Sequence, residues 1–378
     1  MDSLKEEMIA VLSEVMNFWS EKTADFNHGG FYGELDFYGN PVANSNKGII
    51  LNARLLWSFA KVANHTKSND FSDVLQRSYA YVEQHFFDEK YNGVFWELDD
   101  QGNVIDAEKK AIAQAYTLLG VSEYYLVSKE EKVKNKCIEL FLHIEDNFYN
   151  KEFNFYYNEL TRELNLIDFE SKSLGTHLHL LEAYTNLYQF YKTDQLKDRI
   201  QNLFEILISK FLHQNEFCEL DFDKNWKSKT ENISIGHNAE VPSMLLDFSK
   251  LLDDNHKLQE KLIFKLENYC QFSMKLIDKV GGLYMFQNVK SKDFTKEFQW
   301  WMQTETIIAF QKLYEFTKEK KYLEYRDKLF NFAREYFIDD KHGEWYEKLS
   351  VDRKPIVVPK VAMWKSPYHI VRMCTSFM

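Results

Sequence analysis

A short aromatic segment recurs six times along the chain, and this recurrence limits the fold more than any other feature of the sequence. It reads GGFYGELDFYGNPV from Gly29, NGVFWELDDQGNVI from Asn92 and FNFYYNELTRELNLI from Phe153. Three further copies follow: EFCELDFDKNWKSKT from Glu216, GGLYMFQNVKSKD from Gly281 and HGEWYEKLSVDRKPI from His342. Successive copies stand roughly sixty residues apart, and self-similarity at a fixed period marks a repeat architecture. Each copy reads as two short strands around a polar turn, with aromatic side chains ahead of the turn.

Two helical patterns fill each period. Ahead of the hairpins, apolar residues recur at steps of three and four: Val11, Val15, Phe18 and Trp19; Val133, Cys137, Leu140, Phe141 and Ile144; Ile200, Leu203, Phe204, Leu207 and Phe211. One buried stripe with a solvated opposite face predicts an outer helix. The segments after the hairpins are apolar on more sides: GIILNARLLWSFA, AIAQAYTLLGV, LGTHLHLLEAYTNLY, ISIGHNAEVPSMLLDF, FQWWMQTETIIAF and VAMWKSPYHIVRMC. These predict enclosed, inner helices. Only 5 prolines and 13 glycines occur in 378 residues, which favours long helices over a sandwich or a dinucleotide-binding sheet. Strict outer–inner alternation of twelve helices predicts an all-α (α/α)6 barrel, with short β-hairpins at one end and a single catalytic domain spanning 1–378.

Polar residues inside an apolar helix are costly unless paired or used. Here they recur at a similar phase: Arg54, Gln114, His179, His237, Glu305 and His369. In a closed ring, similar phase means similar height, so the spacing predicts one layer in which these side chains converge. His177 and His179 do not predict a metal site, because residues two apart on a helix diverge by about 200°. Trp301 and Trp364 either fill the core or offer flat apolar faces on which a sugar ring stacks.

Other functions are disfavoured. The formal net charge of −11, without a dense basic patch, argues against nucleic acid as a partner. Cys137, Cys218, Cys270 and Cys374 are scattered, which fits neither a disulfide framework nor a zinc site and predicts a reducing, cytoplasmic setting. The segment MDSLKEEM lacks the basic and apolar regions of a secretory signal, and no apolar run is long enough to predict a membrane span. There is no phosphate-cradling glycine loop, nucleophile elbow or dinucleotide fingerprint. No cofactor is expected.

Histidine titrates near neutrality and can take and return a proton at cytoplasmic pH. Three histidines, with Arg54, Glu240 and Glu305 in the same layer, fit proton removal beside a carbonyl, the cation steadying the enediolate oxygen. A glycosidase would instead need an acid and a carboxylate flanking the scissile bond, for which Glu240 and Glu305 are the candidates.

The segments KGIILNARLLW, HLHLLEAYTNLY, GHNAE, WWMQTE and MWKSPYHIVRMC, in this order, resemble the N-acylglucosamine 2-epimerase superfamily, and within it the cellobiose 2-epimerase branch. The likeness runs from about Asn27 to the C-terminus. It implies an (α/α)6 barrel without metal or organic cofactor that inverts C2 of an aldose. It further implies that His179 and His369 are the acid/base pair, acting through a cis-enediol, and that His237, held by Glu240, helps open the pyranose ring. Arg54 would bind the C1 and C2 oxygens, Glu305 would orient hydroxyls or a histidine, and Trp301 and Trp364 would hold sugar rings. The chain departs from the family's pattern at Ile112, where a sugar-contacting Tyr is usual, at Gly175, usually Asn, and at Ile370 and Val371, usually Asn–Gly. The expected partner is a small-molecule sugar, with no nucleic acid and no membrane, for a monomer or homodimer. An aldose–ketose isomerase of the mannose isomerase type shares the enediol, and an inverting glycoside hydrolase or a non-catalytic sugar-binding protein shares the scaffold.

Overall fold

Helix follows helix along the chain, separated by small antiparallel strand pairs. The computed structural model describes residues 2–168, 171–212, 217–251 and 256–378. Glu216, which opens the fourth aromatic segment, lies outside them. Among the described residues the helices are α1 (Asp2–Glu21), α2 (Ile49–Thr66), α3 (Ser72–Tyr81), α4 (Ala111–Ser128), α5 (Glu131–Asn147), α6 (Leu174–Tyr188) and α7 (Asp194–Ile206). They continue as α8 (Ile235–Ser249), α9 (His256–Met274), α10 (Trp300–Thr317), α11 (Lys320–Tyr336) and α12 (Tyr368–Ser376). Single π-helical turns extend α3 and α7.

The inner–outer distinction appears as burial. Of the eighteen residues of α2, thirteen are buried, against seven of the seventeen in α5. The apolar stripes of α1, α5 and α7 named above are all buried. The chain divides into two compact units: residues 1–203, 223–225 and 359–378, and residues 204–222 with 226–358. In the first unit α2 packs on α4 and α4 on α6, while α12 lies against both α1 and α2. Its first hairpin is tied to the returning chain, since Leu35 N donates to Val361 O at 3.1 Å and Lys360 N to Leu35 O at 2.9 Å. In the second unit α8 packs on α9 and α10, and α10 on α11.

Each aromatic segment makes a strand pair or bridge. Four share one loop design. Gly39, Gly102, Leu164 and Arg353 donate their N–H to the carbonyl three residues back and take a positive φ of 82°, 94°, 68° and 62°. This is a three-residue hairpin loop closed by a left-handed residue. Glycine accepts that conformation without a Cβ clash, and in two loops Leu164 and Arg353 adopt it nonetheless.

The helices hold these hairpins with buried polar side chains. Gln114 Oε1 accepts from Val94 N at 2.8 Å while its Nε2 donates to Val94 O at 3.1 Å. Gln303 does the same to Leu283, at 2.9 Å in both directions. Asn238 Oδ1 accepts from Cys218 N at 2.7 Å. His177 Nε2 accepts from Tyr156 N at 3.3 Å, and its Nδ1 faces Ser173 O at 2.8 Å. A carbonyl only accepts, so Nδ1 carries the proton and the ring must be neutral. Gln114 is therefore committed to the backbone of its own hairpin at both ends of its amide, and does not join the predicted layer.

One segment differs from its expectation. The stretch VAMWKSPYHIVRMC becomes helical only from Tyr368. Pro367 lacks an N–H and restrains Ser366 to extended backbone, so it sits at the cap instead of inside the helix. Trp364 consequently lies in the preceding loop, 47% exposed.

Burial, partly offset by the Ser173 carbonyl, lowers the His177 pKa from 6.5 to about 4. The folded state thus resists protonation, and this group's contribution to stability is full above pH 6.5 and lost as pH falls toward 4. Burial also lowers buried His143 to about 4, and it lowers the pKa of His179 as well. We expect His177→Gln to hold Tyr156 as Gln114 and Gln303 hold their partners, and to flatten the loss of stability on acidification by up to one proton. Denaturation midpoints of variant and parent between pH 7 and 4.5 test this; parallel curves would refute it.

Candidate active site

In the first unit the polar residues of α2, α4, α6 and α12 join in one hydrogen-bonded chain. Arg54 on α2 donates through Nη2 to the Tyr116 hydroxyl on α4. The Tyr116 hydroxyl lies 2.7 Å from His179 Nε2 on α6. His179 Nδ1 is 3.0 Å from Glu182 Oε2, one helical turn further along α6. The other carboxylate oxygen of Glu182 accepts from the Tyr368 hydroxyl on α12 and lies 3.5 Å from Arg372 Nη1. Arg54, Tyr116, His179, Glu182 and Tyr368 are all buried. Stacking supports the chain: the Arg54 guanidinium lies 4.4 Å from the centre of the Tyr116 ring, and the Tyr116 and His179 rings are 4.3 Å apart.

The tautomer of His179 follows from its partners. A carboxylate only accepts, so Nδ1 carries the proton and Nε2 presents the lone pair, which receives the Tyr116 hydroxyl proton. Burial lowers the pKa of His179, and the bond to Glu182 works against that shift. The Glu182 pKa is lowered too: burial alone would raise it, but His179, Arg372 and Tyr368 outweigh that and keep the carboxyl below its ordinary range. At neutral pH the arrangement is a neutral imidazole backed by a carboxylate, which is the form of a general base.

His369 follows Tyr368 on α12, buried, with the two rings 4.9 Å apart. It is carried by the helix that shares Glu182 with His179. Trp364 presents its indole 5.4 Å from the Arg54 guanidinium and 6.3 Å from the Trp96 ring, and its carbonyl accepts from Arg54 Nη1 at 3.3 Å. Ile112 and Gly175 stand one turn before Tyr116 and His179 on their helices. A Cβ at Gly175 would lie 3.3 Å from Ile112 Cδ1, so Ile112 occupies the space a side chain at 175 would need.

In the second unit His237 is half-buried, with Nδ1 2.6 Å from Ser234 Oγ and Nε2 4.0 Å from Glu240 Oε2. Ser234 is the nearer partner of the ring. The Trp301 ring meets His237 edge-on at 5.0 Å and donates its N–H to Gln299 Oε1 at 3.0 Å. Gly236 makes this contact possible, because a Cβ there would come within 2.6 Å of the Trp301 ring. Glu240 and Glu305 are both buried.

The structure thus joins Arg54 to His179 through a residue the sequence reading passed over. Tyr116 stands 62 residues after Arg54 and 63 before His179. Strict adherence to the period would have selected it in place of Gln114, two positions earlier. Glu182 and Tyr368 carried no periodic signal, since neither recurs in the other repeats.

The family model for N-acylglucosamine 2-epimerase matches residues 30–373. The chain is 29% identical to a cellobiose 2-epimerase of Bacteroides fragilis, over 99% of this chain and 98% of that one. It is 30% identical to a cellobiose 2-epimerase of Dictyoglomus turgidum, over 98% and 97%. Among solved structures, the cellobiose 2-epimerase of Bacillus thermoamylovorans superposes with a TM-score of 0.94 at 29% identity, covering 100% of this chain and 99% of that one. The fold class is accordingly the (α/α)6 barrel with small β-hairpins. The chain is a carbohydrate epimerase of the isomerase class, and it belongs to the N-acylglucosamine 2-epimerase family.

Proposed function

We propose that this enzyme interconverts the gluco and manno configurations at C2 of a reducing-end aldose, a cellobiose- or mannobiose-type disaccharide or a monosaccharide. The observation that carries the reading is the fixed tautomer of His179, neutral, with its lone pair on Nε2 and a carboxylate behind it. The hydrogen on C2 of an open-chain aldose is acidic because the neighbouring carbonyl accepts the electron pair, giving a cis-enediol. In this proposal His179 serves one face of C2 and His369 the other, so removal on one face and return on the other inverts the centre. Arg54 supplies positive charge for the enediolate oxygen. His237 assists ring opening, and Glu240, Trp301, Glu305 and Trp364 hold the sugar. A small-molecule sugar is the partner, for a monomer or homodimer. Among the described residues no helix is long and apolar enough to cross a membrane. The four cysteines are buried and free, which supports a cytoplasmic setting.

The deciding experiment is proton NMR in D2O with glucose, mannose, N-acetylglucosamine, cellobiose, mannobiose and lactose. An epimerase places deuterium on C2 and yields the C2 epimer. Deuterium on C1 with a ketose product would make the enzyme an aldose–ketose isomerase, and release of monosaccharides from a disaccharide would make it a hydrolase. We expect His179→Ala and His369→Ala each to abolish exchange in a folded protein; normal turnover by either would overturn the two-histidine assignment.

A second outcome concerns pH. Glu182 raises the pKa of His179, so Glu182→Gln should move the acidic limb of the rate profile to lower pH. With the tautomer no longer enforced, kcat should fall by about a hundredfold while KM changes little. An unchanged limb would show that Glu182 does not act through His179.

A further inference from the structure

Both nitrogens of the His179 imidazole are engaged by the protein. Nδ1 faces Glu182 at 3.0 Å, and Nε2, the only site for a further proton, accepts from the Tyr116 hydroxyl at 2.7 Å. The Tyr116 oxygen in turn accepts from Arg54 Nη2, and the guanidinium lies over its ring. A phenol with a cation on its oxygen and an imidazole lone pair at its proton is arranged to give up one proton and take another. The cation stabilises the phenolate and the imidazole receives what leaves. From this geometry we propose that Tyr116 is a catalytic residue, the group that exchanges the proton with the sugar carbon, and that His179 acts through it as the proton store. The proposal deepens the epimerase reading and rests on it.

The step balances as follows, starting with His179 neutral and His369 protonated. The Tyr116 O–H bond breaks and its proton passes to His179 Nε2. The C2–H bond breaks, its proton forms a new O–H bond on Tyr116, and its electron pair becomes the C1–C2 double bond. The carbonyl pair moves to the C1 oxygen. His369 then gives its proton to the opposite face of C2, the double-bond pair forms the new C–H bond, and the C1 carbonyl returns. One proton has passed from His369 to the Tyr116–His179 pair, and exchange with solvent restores the starting state. The charged and titratable groups around the pair are Arg54 from α2, Glu182 on α6 and, from α12, Tyr368, whose ring packs edge-on to Tyr116 at 5.7 Å and whose hydroxyl donates to Glu182, and Arg372, which faces Glu182 at 3.5 Å.

The test is Tyr116→Phe, which keeps the ring and removes the hydroxyl. Deuterium incorporation at C2 and kcat should fall by about a hundredfold or more with KM within a few-fold, the scale of a lost proton-transfer group. The acidic limb of the rate profile should also rise, because the phenol no longer donates to the neutral form of His179. Replacement of Tyr116 by a fluorotyrosine of lower phenol pKa preserves shape and hydrogen bonding, and should displace the alkaline limb toward acid. This second variant decides the matter where the phenylalanine variant does not fold. Wild-type exchange rates and an unmoved profile in both variants would overturn the role of Tyr116 and leave the epimerase reading intact. A parent enzyme that labels no sugar would remove the reading itself.

Discussion

A polar side chain inside a helix buried on most sides must find its partner within the protein, and this constraint organises the molecule. An unmet buried donor or acceptor costs roughly 1–3 kcal/mol. The inner helices carry such side chains in two interleaved series. Asn52, Gln114, His177, Asn238 and Gln303 form one; Arg54, Tyr116, His179, Glu240 and Glu305 form the other, two residues later in each of the first five repeats. Two residues on a helix turn through about 200°, so the two series look away from each other. Four members of the first are occupied with hairpin backbone, at sequence separations of 20 or 21 residues. In the second, Arg54, Tyr116 and His179 bond to one another instead of to hairpin backbone.

Glu182 shows how structural demand and reactivity meet in one group. It is fully enclosed, a position in which a carboxyl ordinarily prefers to be neutral. Donors from His179, Tyr368 and Arg372 reverse that preference. The charge so maintained fixes which nitrogen of His179 bears a proton, and thereby directs the lone pair toward Tyr116 and Arg54. The same contacts link α6 through its side chain to α12, a helix whose backbone packs on α1 and α2.

The departures from the family pattern acquire a physical meaning in this setting. Ile112 removes a hydroxyl from the first turn of α4, and Tyr116 supplies one a turn deeper, against His179 and Arg54. Gly175 is matched to Ile112 by space, since any Cβ would press on the isoleucine.

Periodicity alone made the alternation of helices, the six hairpins and the approach of Arg54 to His179 legible. These depend on apolar spacing and turn chemistry, which are local and repeat with the chain. The sequence did not reveal that Gln114 serves its hairpin, that Pro367 delays α12 and leaves Trp364 in a loop, or that Tyr116, Glu182 and Tyr368 complete the network. Each of these is decided by where a side chain ends, which a spacing of sixty residues does not encode. Which residues lie inside follows from the order of amino acids; which of them touch is settled only when helices hundreds of residues apart are packed together, because hydrogen bonds depend on distances of a few ångströms.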